Sequence, residues 1–394
     1  MITKIEYLER INRLQKKIAE KGLDAFIVSG EGSIYYLTGA SYFPMERPFF
    51  IIIKPGSLPV LLVPALDKVH LGQAPNIDKV YDYWDYPAPP GRGWVDNLTK
   101  LLDGVKKLGV EPTLPLEIYG HLSAFAPLSL PLVEELRVIK SIAEVDMIRQ
   151  AAHYADAAMQ KIIETAYYGV CEIELFSQGR AIQMQIMKEV GYDALTTSVQ
   201  MGAWPAPLSA HPHEFPNVSD RLWDGPNVAM TFMRVNGYAG ECERTFFTAT
   251  PTSRVKDAFT DMTEARNKAF ALVKPGVPCD EVDLAANGYL SEKGYGQYLL
   301  HRTGHGIGLG NHERPWVAEA SGEVLRENMV ISIEPGIYIP EVGGVRHSDT
   351  VLVTKDGYER LTHYPVDIGP LTITKSKPIN RLKGSIVRKA LGFK

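Results

Sequence analysis

Ser141 and Glu144, spaced as a capping box, open a long helical segment at the point where the hydrophobic pattern of the chain changes character. Before it, helical and strand signals alternate. Tyr7, Leu8, Ile11, Leu14 and Ile18 recur at helical spacing, Gly22 ends that helix, and Asp24 to Ser29 reads as a buried strand. Phe49 to Ile53 and Val60 to Val63 are two more short apolar runs, with Pro and Gly between them. Such alternation predicts an α/β domain over residues 1–138. After the capping box, a second helix around Glu172 to Val190 gives way to short strands: Val228 to Val235, Arg244 to Thr248, Met329 to Ile333 and Thr350 to Thr354. These flank helices near Val255–Val273 and Cys279–Lys293. The pattern predicts an α+β domain with a largely antiparallel sheet over residues 139–370. Length agrees, since 394 residues exceed the roughly 100–200 of one domain.

A basic C-terminal tail, 371–394, follows. Lys375, Lys377, Arg381, Lys383, Arg388, Lys389 and Lys394 are interrupted by no acid, and Ile379, Leu382, Ile386, Val387 and Leu391 form an apolar stripe if the segment is helical. It reads either as a solvated tail or helix docked on its own chain, or as a helix for a membrane surface or an acidic partner. Overall charge is nearly balanced, 42 Lys and Arg against 46 Asp and Glu, which argues against nucleic acid as the main partner. The charged start, Met1 to Arg10, predicts no signal peptide, and no run of about 18 apolar residues predicts a transmembrane segment. Three cysteines, Cys171, Cys242 and Cys279, are too few for a disulfide framework and point to a reducing cytoplasm.

Three segments carry chemistry. Asn236 to Phe246 is a tight turn running into a strand; side chains alternate along a strand, so Glu241, Glu243 and Thr245 share one face. His301 to Gly308 is glycine-rich and presents His301 and His305, with His312-Glu-Arg314 just beyond. Glu334 closes a buried apolar strand that Pro335-Gly336 stops. An acid there faces either a site or a burial cost of several kcal/mol.

These segments resemble the signature blocks of the creatinase, prolidase and aminopeptidase P family: Thr303 to Gly308, Ser332 to Gly336 and Gly343 to Val353, in that order. Tyr35 to Gly39 and Glu46-Arg-Pro48 resemble the family's first domain. The resemblance implies an N-terminal creatinase-like α/β domain followed by a C-terminal pita-bread domain, and a homodimer in which Arg47 reaches the partner's pocket. Peptidases of the family hold two metal ions with two Asp, one His and two Glu. Position by position, these fall at Met230, Glu241, His305, Glu334 and Ser348. Met230 and Ser348 are poor ligands for a hard divalent ion. A slip of one residue would bring in Thr231 or Asp349 instead.

Glu243 stands where the peptidases carry Thr, and creatinase, the metal-independent member, similarly has Glu there. By that likeness, Glu243 and Glu334 hold a cationic substrate group and His213 shuttles the proton, with His211 as the competing candidate. Arg47 and Arg314 fit the arginines that grip a carboxylate. His305 and His312 complete the substrate contacts together with Glu241. The alternative is a single divalent ion, such as Mn, Fe, Co or Zn, on Glu241, His305 and Glu334.

Electrostatics frames the choice. Two carboxylates about 4 Å apart repel by roughly 4 kcal/mol at an effective dielectric near 20. With three converging, either one takes a proton or a cation is present. The expectation drawn is therefore a metal-independent C–N hydrolase with no cofactor, acting on a guanidino acid, cyclic amidine or related small cationic carboxylate. Two alternatives stand beside it: an Xaa-Pro dipeptidase-like metallohydrolase with one metal, and a non-catalytic binding module. Blander roles are a solvated edge for Glu241 and Glu243, a core histidine at His305 and a surface ion pair at Arg47.

Overall fold

The computed structural model describes residues 2–375 and 377–393. The chain divides into two compact units, residues 1–137 and 138–394.

In the first unit a mixed sheet of six strands runs, in spatial order, Lys79–Tyr83, Val60–Pro64, Phe50–Ile53, Ala25–Val28, Leu108–Val110 and Leu128–Ser129. Thr3 caps the opening helix, Lys4–Glu20, by accepting from the Glu6 amide at 3.2 Å. That helix buries Ile11, Leu14 and Ile18, three of the five apolar positions that set its period. Arg47 lies in this unit, ion-paired to Asp85 at 2.6 Å and Glu46 at 3.2 Å.

The second unit is built on an antiparallel sheet ordered Glu313–Val317, Gly304–Gly306, Val330–Ile333, Ser348–Val353, Tyr238–Phe246, Asn227–Val235 and Ser198–Trp204, with Tyr358–Arg360 pairing onto Ser348–Val353. Its central hairpin turns at Asn236 and Gly237, both at positive φ (47° and 99°), the conformation that a two-residue hairpin favours. The second strand of this hairpin begins at Tyr238 rather than Arg244, so Glu241 and Glu243 sit mid-strand instead of at its mouth. Helix Ile142–Thr165, capped by the expected Ser141–Glu144 box, packs across both hairpin strands. Gly240 permits this approach, because a Cβ there would lie 2.6 Å from the Ala152 amide nitrogen.

Two expected helices are shorter than their periodicity suggests. Glu172–Phe176 and Gly179–Glu189 are separate pieces. Beyond Cys279–Asp283 the backbone widens into π turns and ends at Gly294, φ 89°. The C-terminal segment is a helix, Pro378–Ala390, held to its own unit by an Arg388–Glu174 ion pair and by Arg381 over the Tyr167 ring. Among the described residues no helix is long and apolar enough to cross a membrane.

Candidate metal centre

The sheet brings Glu241, His305 and Glu334 together, with one donor atom from each within 4.8 Å of the others. Each arrives from a different strand or strand end. Glu241 comes from the central hairpin. Its amide donates to Thr350 Oγ1 at 2.9 Å, and that hydroxyl donates back to the Glu241 carbonyl at 2.9 Å, which fixes the register of the carboxylate. Glu334 follows Val330–Ile333 and is anchored by its amide to Thr303 O at 2.7 Å. His305 lies between glycines that allow tight packing: a Cβ at Gly304 or Gly306 would collide with the carbonyls of Ser332 or Arg314.

The orientation of His305 is set from behind. Its Nδ1 lies 3.1 Å from the Gly306 carbonyl, so the Nδ1 proton is donated there and Nε2 faces the carboxylates. Nε2 is fully buried, 3.2 Å from Glu334 Oε1 and 3.7 Å from Glu241 Oε1. An imidazole oriented by a backbone carbonyl, with its other nitrogen turned toward carboxylates, is the usual arrangement of a metal-ligating histidine. Burial pushes the Glu241 carboxyl up to about 7. Glu334, although burial opposes it, is drawn down to about 2 by His305. The two carboxylates outweigh the burial of His305 and raise it to about 9. The cluster thus attracts positive charge strongly enough to hold a proton on an imidazole.

Next to this triad lies a feature that the sequence patterns missed. Glu243, buried and pushed upward by desolvation against the pull of Arg346, meets the Arg346 guanidinium twice: Nη2 donates to Oε1 at 2.9 Å and Nε approaches Oε2 at 2.5 Å. Arg346 itself stays charged well above the ordinary arginine range, chiefly because Glu243 offsets its burial. Its Nη1 donates to Tyr338 Oη at 3.0 Å, and that oxygen lies 2.7 Å from His301 Nε2. The available signal was spacing: Arg346 lies two residues before Ser348 and so shares its face.

Other expected site residues fall elsewhere. The His312 ring lies against that of His305, centroids 3.8 Å apart. Partial burial and the neighbouring His305 lower it to about 4. His213 is exposed but near enough to His312 to contribute to that lowering. His211 pairs with Glu214 at 2.5 Å. Arg314 is engaged by Glu323 at 2.9 Å. Arg47, in the first unit, is taken up by Asp85 and Glu46.

Neither residue that a slip of one position would bring in serves the triad. Asp349 points to the opposite side, clamped by Arg244 at 2.7 Å and Arg266 at 2.5 Å, and Thr231 bonds to the Ala155 and Cys242 carbonyls. Met230 and Ser348 lie on either side of Glu243 across the sheet. Ser348 donates to Glu241 Oε1 at 2.8 Å. Donor chemistry therefore fits one divalent ion, on two carboxylates and an imidazole, and does not fit two.

Known proteins share this fold. Residues 146–355 match metallopeptidase family M24, and residues 10–139 match the creatinase/prolidase N-terminal domain. The chain belongs to family M24 and is a hydrolase of the pita-bread fold. An Xaa-Pro dipeptidase of Pyrococcus horikoshii is 31% identical over 361 residues, spanning 90% of this chain and 97% of the relative. A prolidase structure from the same organism superposes with a TM-score of 0.77 at 31% identity, covering 91% of this chain and 99% of the other. An Xaa-Pro dipeptidase structure from Bacillus anthracis does so with 0.77 at 28% identity, covering 92% and 99%.

These relatives overturn the metal-independent hydrolase of guanidino acids or cyclic amidines, because full-length likeness runs to dipeptidases. The expectation of no cofactor falls with it. Glu243, whose charge suggested a cationic substrate, is already neutralised by Arg346 from within the chain.

Proposed function

We propose that the protein is a metal-dependent dipeptidase of the Xaa-Pro type, working with one divalent ion on Glu241, His305 and Glu334. The observation that carries this reading is the buried His305 Nε2 aimed between two carboxylates, 3.2 Å from Glu334 and 3.7 Å from Glu241. Family membership and the dipeptidase relatives support the substrate class. When bound, such an ion supplies Lewis-acid polarisation of a scissile carbonyl.

The chain's own residues do the rest. Arg346, kept charged by Glu243, stabilises negative charge developing on the substrate beside it. His312 stacks on His305 and, held neutral near pH 7, accepts at a ring nitrogen the proton that the attacking water loses. His213, exposed at the rim, exchanges that proton with solvent and delivers one to the leaving nitrogen. His211, tied to Glu214, is the less available partner. A homodimer in which Arg47 of one copy serves its partner's pocket is part of the proposal. Arg47 lines a cavity of about 390 Å³ with Tyr42, Phe49, Trp84 and Trp94. Three free cysteines fit a reducing cytoplasm.

The deciding experiment is hydrolysis of an Xaa-Pro dipeptide panel by protein loaded in turn with Mn, Co, Fe or Zn. Turnover that a chelator abolishes, and that Glu334→Ala lacks, is the expected result. Folded, metal-loaded protein that cleaves no Xaa-Pro dipeptide overturns the reading. For the dimer, mixing Arg47→Ala with His213→Ala chains should restore part of the activity, and no recovery after verified subunit exchange removes Arg47 from that role.

A further inference from the structure

We infer that Arg346 is a permanent cation of the site, standing in for a second metal ion, so that this chain binds one divalent ion and excludes another. The inference rests on the single-ion reading above and deepens it. Its basis is a row of three residues across three adjacent strands. Met230 is the register partner of Glu243, and Glu243 is the register partner of Ser348. Directly opposed residues share a face of the sheet and have Cβ atoms about 4.5–5.5 Å apart, so these side chains form one continuous patch. The outer two offer a thioether and a hydroxyl, neither a ligand for a hard ion. The central one accepts from Arg346 Nη2 at Oε1 and has Oε2 in ion-pair contact with Arg346 Nε, and Arg346 Nη2 also lies 3.4 Å from Met230 Sδ. The guanidinium therefore covers this patch.

It is also fixed there. Arg346 Nη1 donates to Tyr338 Oη, Tyr338 Oη donates to His301 Nε2, and His301 Nδ1 donates to the Arg302 carbonyl at 2.7 Å. With this assignment of the protons each donor meets one acceptor, so a neutral His301 and a neutral Tyr338 hold the cation in place without adding charge. Charge balance points the same way. With Glu241, Glu243 and Glu334 ionised, His305 neutral as a ligand must be and Arg346 positive, the site carries the charge that a single divalent ion neutralises. A second ion would lack a free carboxylate and would face a guanidinium already seated.

The test counts ions. Wild-type protein saturated with Mn, desalted and measured by elemental analysis should retain about one ion per chain. The triple variant Met230→Asp, Glu243→Thr and Ser348→Glu, which opens the row, should retain about two. Wild-type protein holding two ions overturns the inference while leaving the metallohydrolase reading intact. Protein holding none at any loading overturns that reading and this inference with it. A folded triple variant that still takes only one also overturns the inference. If the triple variant does not fold, electron paramagnetic resonance of Mn-loaded wild type decides: an isolated Mn signal is expected, and an exchange-coupled pair sinks the proposal.

Discussion

Glu172 turns both carboxylate oxygens to a single backbone amide, that of Ala203, at 3.1 and 3.2 Å, and Asp220 is the one charged neighbour acting on it. Among the described residues no cation offsets its burial, so desolvation pushes it up to about 8. Asp349 is equally buried, but two guanidiniums close on it and hold it well below the carboxylate range. The contrast separates an acid that the fold pairs from one that it merely tolerates. For Glu172 the sign follows from the raised value. Below about pH 4.5 both folded and unfolded chains carry the proton and burial costs little. From there to about pH 8 the unfolded chain ionises while the folded one does not, so stability falls by up to about 1.4 kcal/mol per pH unit. Glu172→Gln keeps an acceptor for Ala203 and removes the titration. Urea denaturation at pH 5, 7 and 9 should show the variant gaining on the wild type as pH rises. An advantage independent of pH would mean that Glu172 is not the source.

At the scale of elements, the periodicities that were legible are those confined to one segment. The capping box at Ser141, the helix Lys4–Glu20 and the shared face of Glu241 and Glu243 are all set within a few residues. What the sequence hid depends on register between distant strands. Glu243 and Arg346 are 103 positions apart, and nothing local to either marks the other as its partner. The lone acid pattern therefore suggested an external cation where the chain supplies its own. The partner of Arg47 was hidden for the same reason, since Asp85 lies 38 positions away.

The C-terminal helix shows how a small residue decides such a contact. Gly384 is buried against the Glu174 carboxylate, so closely that a Cβ there would overlap it, and this contact seats Arg388 on Glu174. The tail's basic residues were plain in the sequence, whereas the role of its one interior glycine was not. Gly384→Ala should lift helix Pro378–Ala390 from its seat. Hydrogen exchange of its amides should then speed up by tenfold or more, an opening cost lower by about 1.4 kcal/mol, while the amides of the central hairpin keep their protection. Unchanged exchange in the helix would show that Gly384 is not what seats it.

Over the whole molecule, the two units differ in what holds them. Residues 1–137 close around an apolar core with Phe50, Ile52, Leu62 and Val110, and no metal-ligand group was found in that unit among its described residues. Residues 138–394 place buried charge on both sides of one sheet, with Asp349 and its two arginines on one face and the acidic triad on the other. The paired face needs nothing added. The two carboxylates of the triad repel and draw a cation to them, so stability of this unit depends on ion concentration. An ion that binds only the folded state at 100 times its dissociation constant adds about 2.7 kcal/mol. In a unit of this size each kcal/mol moves the midpoint by about 2–4 °C, so saturating Mn or Zn should raise the calorimetric transition of residues 138–394 by roughly 5–10 °C. Any separate transition of residues 1–137 should stay in place, and Glu334→Ala should abolish the shift because it removes one donor of the three. A shift of equal size in Glu334→Ala, or none in the wild type, would mean that the stabilising ion does not sit on Glu241, His305 and Glu334.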